Sequence, residues 1–171
     1  TEAAMPDDAY WLNDWGLYAA IKDDHDGRPW FEWPAPLRDR EPEALAAYAA
    51  QADAHVRAQQ RFQSAWEAMQ HQAIQQSISL IGDVPMFVSH DSADVWAHRG
   101  LFQLNDEGMP EVVAGVPPDY FSEGGQKWGT VLYDWDAHRA EGWRWWKERM
   151  KRMLRLFDVC LLYTSDAADE Q

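Results

Sequence analysis

At Ser77 the chain changes its period. From about Glu41 to Gln75 it is rich in Ala, Gln and Glu, good helix formers, with Val56, Phe62, Trp66, Met69 and Ile74 along an apolar side. Ser77-Ile78-Ser79-Leu80-Ile81-Gly82-Asp83-Val84-Pro85-Met86-Phe87-Val88 then takes on β character. A short apolar run after a long helix fits a strand buried in a parallel sheet with helices over its faces. A second helix-to-strand switch follows: Glu141–Leu156 reads as an amphipathic helix with Trp143, Trp146, Met150, Met153 and Leu154 on one face, and Phe157-Asp158-Val159 opens another strand. The expected class is therefore α/β. Asp83 interrupts the first strand run, at or beyond its C-terminal end, where parallel architectures bind ligands. A carboxylate there either meets a ligand or braces a loop or helix end, and the local sequence leaves both open.

The rest of the chain surrounds these switches with loops and short helices. Asp7 or Asp8 is predicted to cap a helix running to about Asp24, with Tyr10, Trp11, Trp15, Tyr18 and Ile21 buried and Gly27 as its stop. Pro29, Pro34 and Pro36 predict an irregular aromatic loop over Arg28–Pro36. Pro42 suits a first helical turn, and the length of the stretch it opens predicts two helices or one with a bend. His90–Trp96 reads as a short capped helix, Asn105–Gly108 as a turn, Met109–Ala114 as a short strand, and Val116–Gly129 as a loop mixing prolines, glycines and exposed aromatics.

Composition narrows the partners. The 171 residues carry a formal net charge of −14, which repels phosphate backbones and anionic membranes. A neutral polyol substrate is compatible with this charge, as is simple solubility. Eleven tryptophans exceed what packing needs; an aromatic core and a sugar-stacking surface both draw on them, and aromatic contacts add roughly 0.5–1.5 kcal/mol beyond area burial. The single cysteine, Cys160, permits no disulfide within the chain, so nothing points to secretion, and the cytoplasm is the expected compartment. The six histidines form no metal-ligand spacing, so neither metal nor cofactor is expected. No apolar run reaches a membrane-spanning length of about 18 residues.

Several longer motifs, taken together, are specific. Gly27-Arg28-Pro29-Trp30, Glu32-Trp33-Pro34, Gly82-Asp83-Val84-Pro85-Met86-Phe87-Val88, His90-Asp91-Ser92-Ala93-Asp94-Val95-Trp96, Val113-Ala114-Gly115-Val116-Pro117-Pro118-Asp119-Tyr120-Phe121-Ser122, Gly125-Gln126-Lys127-Trp128-Gly129 and Leu132-Tyr133 occur in this order. Over about Ala9–Val159 the chain resembles the amylomaltase family of 4-α-glucanotransferases. Two places depart from the family pattern: Thr130-Val131 stands where Asn-Pro is common, and Phe62-Gln63-Ser64-Ala65-Trp66 matches the family helix loosely.

The resemblance implies a (β/α)₈ barrel with helical insertions, incomplete over this length. It implies transfer of α-1,4-glucan segments between maltooligosaccharides by a retaining double displacement, with no obligate protein partner. An α-amylase-like hydrolase and a non-catalytic carbohydrate-binding protein are the competing functions. Carried over by position, Asp83 resembles the family's sugar-binding aspartate. Asp119, Tyr120, Phe121 and Ser122 fall in the loop over the glucan groove, and Gln126 and Trp128 resemble its hydroxyl-binding and ring-stacking residues.

The resemblance also sets an expectation for the end of the chain. After Val159 it calls for one apolar residue and then Arg-Ile-Asp-His-Phe-Arg-Gly, whose Asp is the nucleophile. Here Leu161 stands at the Arg and Tyr163 at the Asp. Residues 160–171 read as a translated sequencing adapter, leaving 1–159 as part of one catalytic barrel domain that contains no catalytic residue of its own. The start at Thr1-Glu2-Ala3-Ala4-Met5 reads as a chain cut at its N-terminus.

Overall fold

The computed structural model describes residues 10–118, 120 and 123–162. These form helices and short strands in the order α1 (Leu12–Asp24), α2 (Ala35–Arg38), α3 (Pro42–Ala46), α4 (Ala49–Gln75), β1 (Ile81–Val84), α5 (Ala93–Ala97), β2 (Val113–Val116), β3 (Gln126–Val131), α6 (Trp135–Ala140), α7 (Arg144–Leu156) and β4 (Val159–Leu162). The class is α/β, and β1 pairs with β4 in parallel, Ile81 opposite Val159 and Val84 opposite Leu162. Among the described residues the chain folds as two compact units interleaved in sequence. One takes residues 58–86 and 144 onwards, the other residues 11–57 and 87–143.

The first unit is built on the β1–β4 pair and the helices that precede each strand. Gly82 permits its tightest contact: a Cβ there would lie 2.1 Å from Cδ2 of Phe157. Trp66 of α4 sets its ring edge-on to Phe157 and donates its indole N–H to the Leu156 carbonyl at 3.0 Å, satisfying one of the orphan carbonyls at the end of α7. Gln63, fully buried, accepts from Arg152 at 2.6 Å and donates to Glu67 at 2.8 Å. Arg149 donates to the Pro85 carbonyl at 2.8 Å and so ties the segment leaving β1 to α7.

The second unit has an aromatic core. Tyr18, Trp33 and Trp96 pack at centroid separations of 5.4–6.0 Å, and the Trp96 indole donates to Leu37 O at 3.1 Å. Arg40 lies 4.2 Å over the Trp96 ring while paired with Asp14, and Arg99 lies 4.5 Å over Trp30 while paired with Asp39. Each guanidinium thus covers an indole face and reaches a carboxylate. The Arg38 and Arg99 guanidiniums hold Asp39 down to about 2. In this unit β2 and β3 form an antiparallel hairpin with a bulge between Val113 and Gly115.

The structure corrects several local expectations. The first helix begins at Leu12, with Trp11 rather than Asp7 or Asp8 at its N-cap position. The proline-rich stretch is not irregular throughout: a 3₁₀ turn spans Trp30–Glu32, and Pro34 and Pro36 stand at the start of α2, where a missing N–H costs nothing. The early strand lies at 113–116, not 109–114, and Gln126–Gly129 belongs to β3, not to a loop. The last helix starts at Arg144, so Trp143 lies outside it. The residue of α7 that is buried is Trp145, whereas Leu154 is exposed, as are Phe62 and Ile74 of α4. The capped helix near residue 92 and the Asn105 turn stand as expected: Ser92 Oγ accepts from Val95 N at 3.3 Å, and Gly108 N donates to Asn105 O at 2.9 Å.

Candidate functional site: an open strand carboxylate and an aromatic hairpin

Asp83 is the third residue of β1, opposite Leu161 of β4. Its residue is exposed. Its neighbours Gly82 and Val84 are buried, as strand alternation requires. A bracing aspartate would hold a backbone N–H or a cation, yet among the described residues no hydrogen bond or ion pair engages this carboxylate. Its two oxygens are therefore available as acceptors at the C-terminal part of a parallel strand.

The β2–β3 hairpin belongs to the other unit and presents a second group of acceptors and rings. Gln126 and Trp128 alternate with Lys127, so their side chains share one face of β3, and the Trp128 indole N–H lies 3.3 Å from Gln126 Oε1. Trp128 is 48% exposed. Gly125 (φ +69°) and Gly129 (φ +71°) bracket the pair in left-handed backbone that an L side chain resists. Gly115 admits a close strand approach, since a Cβ there would come within 2.3 Å of Gln126 O. In the connection between the strands Tyr120 is 96% exposed. Asp119, Phe121 and Ser122 lie outside the described residues. Of the seven expected site residues, the structure thus joins Gln126 to Trp128, places Tyr120 in the same hairpin, and places Asp83 in the separate unit.

One polar residue that the sequence reading treated only as part of a capped helix proves to be a hub. Asp91 accepts from the Tyr18 hydroxyl at 2.6 Å, from Lys22, and from Trp30 N at 3.3 Å. Burial pushes its carboxyl up, but these three donors outweigh burial and hold it below the ordinary carboxylate value. Burial and the Asp91 bond push the Tyr18 phenol well above its usual range. Next to it His90 stacks on Phe31 at 4.4 Å, lies 2.7 Å from Gly108 O through Nε2, and accepts at its carbonyl from the Trp30 indole at 2.7 Å. Burial lowers the imidazole's proton affinity, so it is held neutral. The motif's position inside the resembling stretch was the only sign of this role in the sequence.

The sequence profile of the family described as 4-alpha-glucanotransferase matches residues 2–162. The chain belongs to this family. Its relatives include the 4-alpha-glucanotransferase of Thermus thermophilus, 48% identical over 89% of this chain and 31% of that protein. That of Aquifex aeolicus is 43% identical over 94% of this chain and 34% of its own length. The chloroplastic/amyloplastic 4-alpha-glucanotransferase DPE1 of Arabidopsis thaliana is 42% identical over 91% and 28%. Among solved structures, amylomaltase from Streptococcus agalactiae in complex with acarbose superposes with a TM-score of 0.83 at 32% identity, covering 91% of this chain and 32% of that one. The chain therefore spans about a third of the length of the family members it matches. Among the described residues no helix is long and apolar enough to cross a membrane, and no group of three or more His, Cys, Asp or Glu could hold a metal ion.

Proposed function

We propose that this stretch is the glucan-recognition part of a 4-α-glucanotransferase, and that both compact units belong to one catalytic (β/α)₈ barrel domain. The observation that carries the reading is the Gln126–Trp128 face of β3. There a half-exposed indole can stack on a pyranose while the adjacent amide oxygen faces the same side for its hydroxyls. Asp83 supplies charge-assisted acceptance of sugar hydroxyls, about twice as strong as neutral bonding. On the resemblance, Tyr120, with Asp119, Phe121 and Ser122, belongs to the loop over the glucan groove. The bound partner is an α-1,4-glucan or maltooligosaccharide, as donor and as acceptor. The compartment is the cytoplasm, on the strength of the single cysteine.

In such a site the residues of this stretch bind and orient rather than form bonds. The retaining reaction needs a carboxylate nucleophile and a carboxylic acid. A closed aromatic site excludes water, which favours transfer to a sugar hydroxyl over hydrolysis. Grafting residues 10–159 into the Thermus thermophilus relative, in place of the matching segment, tests the reading. The graft is expected to convert maltotriose into glucose and longer maltooligosaccharides. Shorter products alone would mean a hydrolase, and an inert but folded graft would remove the recognition role.

A further inference from the structure

A second aromatic surface lies outside the residues assigned above. Trp135 opens α6 and is 42% exposed; Trp143 precedes α7 and is 36% exposed; their rings are 6.2 Å apart and tilted by 42°. Beneath them His138 is fully buried and parallel to the Trp143 ring, at 11° and 6.3 Å. Trp143 has φ +62°, left-handed backbone that is a genuine outlier for so bulky a residue. Gly142 before it is also left-handed, at φ +71°. The conformation is fixed by Trp143 N donating to His138 O at 2.8 Å and Gly142 N to Arg139 O at 3.0 Å. A strained residue persists where its surroundings over-determine it, and such outliers cluster at ligand contacts.

We propose that Trp135 and Trp143 form an accessory platform for an α-1,4-linked glucan, separate from the Gln126–Trp128 face. It rests on the glucan reading of the chain and extends it to a second contact. Three features favour a sugar over a protein partner. The platform is two rings, not a broad apolar patch. Charged side chains flank it closely in sequence: Asp136, Arg139 and Glu141, with Asp136 and Arg139 exposed and paired to each other, supply groups for hydroxyls. Finally, two rings tilted by 42° meet successive sugars that turn relative to one another, as in a coiling α-1,4 chain, better than the flat ribbon of a β-1,4 chain.

The test uses the whole 171-residue chain labelled with 5-fluorotryptophan, read by fluorine NMR. The Trp128, Trp135 and Trp143 resonances are assigned by their loss in Trp128→Phe, Trp135→Phe and Trp143→Phe. Maltoheptaose should shift the Trp135 and Trp143 resonances together and saturably, and cellohexaose should leave them in place. Removing one ring, in Trp135→Ala, should weaken the response at Trp143 by about fivefold to tenfold, the equivalent of one stacking contact. Movement of Trp128 with Trp135 and Trp143 static overturns the platform and leaves the glucan reading standing. Movement of Trp135 and Trp143 with Trp128 static supports the platform and removes the Trp128 assignment. Three static resonances overturn both, and equal shifts with cellohexaose overturn the α-1,4 preference.

Discussion

On the proposed glucan reading Asp83 and Trp128 would make different demands on a bound glucan, and their substitutions should separate in the Thermus graft. Hydrogen bonds from hydroxyls to Asp83 tighten as the sugar ring distorts towards an oxocarbenium-like transition state, so Asp83→Ala is expected to lower kcat at least tenfold. Stacking on Trp128 is present in ground and transition states alike, so Trp128→Ala should raise KM about fivefold and spare kcat, a loss near 1 kcal/mol. Steady-state kinetics on maltotriose checks both. A near-normal kcat in Asp83→Ala, with early melting, would make that carboxylate structural despite its lack of a described partner. Gly82 makes a purely steric prediction. A methyl there lands 2.1 Å from Phe157, so Gly82→Ala should cost on the order of 1–3 kcal/mol, read as a lower denaturant midpoint.

Among the elements, the hairpin shows how backbone fixes the Gln126–Trp128 pair. Gly129 has φ +71° with open space around its missing side chain, so Gly129→Ala meets strain and no clash. It should cost about 1–2 kcal/mol of local order and raise KM in the graft with little change in global melting. Equal KM values would disconnect hairpin geometry from glucan affinity. The elements also show what could be read in advance. The parallel strands at 81 and 159 were legible because an apolar run after a helix changes both period and composition, but the expected burial is not met: Ile81, Val159 and Leu161 are exposed. The break between α3 and α4 was legible in the length of the helical stretch, and the start of α3 in Pro42. The hairpin strand β3 was not, since all of Gln126–Gly129 is exposed and two-sided exposure removes the alternation that marks a strand. α6 was missed because six residues span fewer than two turns; its signs, Asp134 Oδ1 accepting from Asp136 N and Ala137 N at 3.0 Å, belong to capping alone. For the candidate site, Asp83 was marked by its place at the end of a strand run and then by resemblance, Gln126 and Trp128 took their roles from motif resemblance, and the hub role of Asp91 depends on partners 61–73 residues away and had no local signature.

At the scale of the molecule, acid should act in two stages. His90, His98 and His138 all have their affinity for a proton lowered, chiefly by burial, from the ordinary histidine value of 6.5. The unfolded chain then binds more protons than the folded one below that value. Stability from these residues is complete above about pH 6.5 and declines as pH falls towards their lowered folded values. Asp91, depressed from 3.8, contributes stability that is complete above that value and lost as pH falls through its folded pKa. Urea midpoints should therefore be flat from about pH 8 to 7, fall from about pH 6.5, and fall again below about pH 4; a midpoint that rises between pH 6.5 and 5 would contradict the buried-histidine account. The two units should also differ. Ile74, Ile78, Ile81, Leu154, Val159 and Leu161 are exposed in the first unit, and exposed apolar surface adds nothing to its stability. Hydrogen exchange should find its amides opening before those around Trp33 and Trp96. As for chemistry, the resemblance places tyrosine, at 163, where transfer needs a carboxylate, and a phenol there supplies no equivalent nucleophile. The 171-residue chain is expected to bind glucan without turnover, and glucose released from maltotriose above a blank preparation would overturn this.

The interleaving of the two units bears on how the chain is made. The aromatic unit takes residues 11–57 and then 87–143. Its first half leaves the ribosome without Asp91, Trp96 and Arg99, which later bind Tyr18, Lys22, Trp33 and Asp39. At about 5–20 residues per second, the roughly 30 intervening residues impose a wait of about 2–6 seconds. Throughout that interval Tyr18, Trp30 and Trp33 lack their later partners Asp91, His90 and Trp96. A nascent chain of this design is most in need of a holding chaperone during that pause, well before synthesis ends.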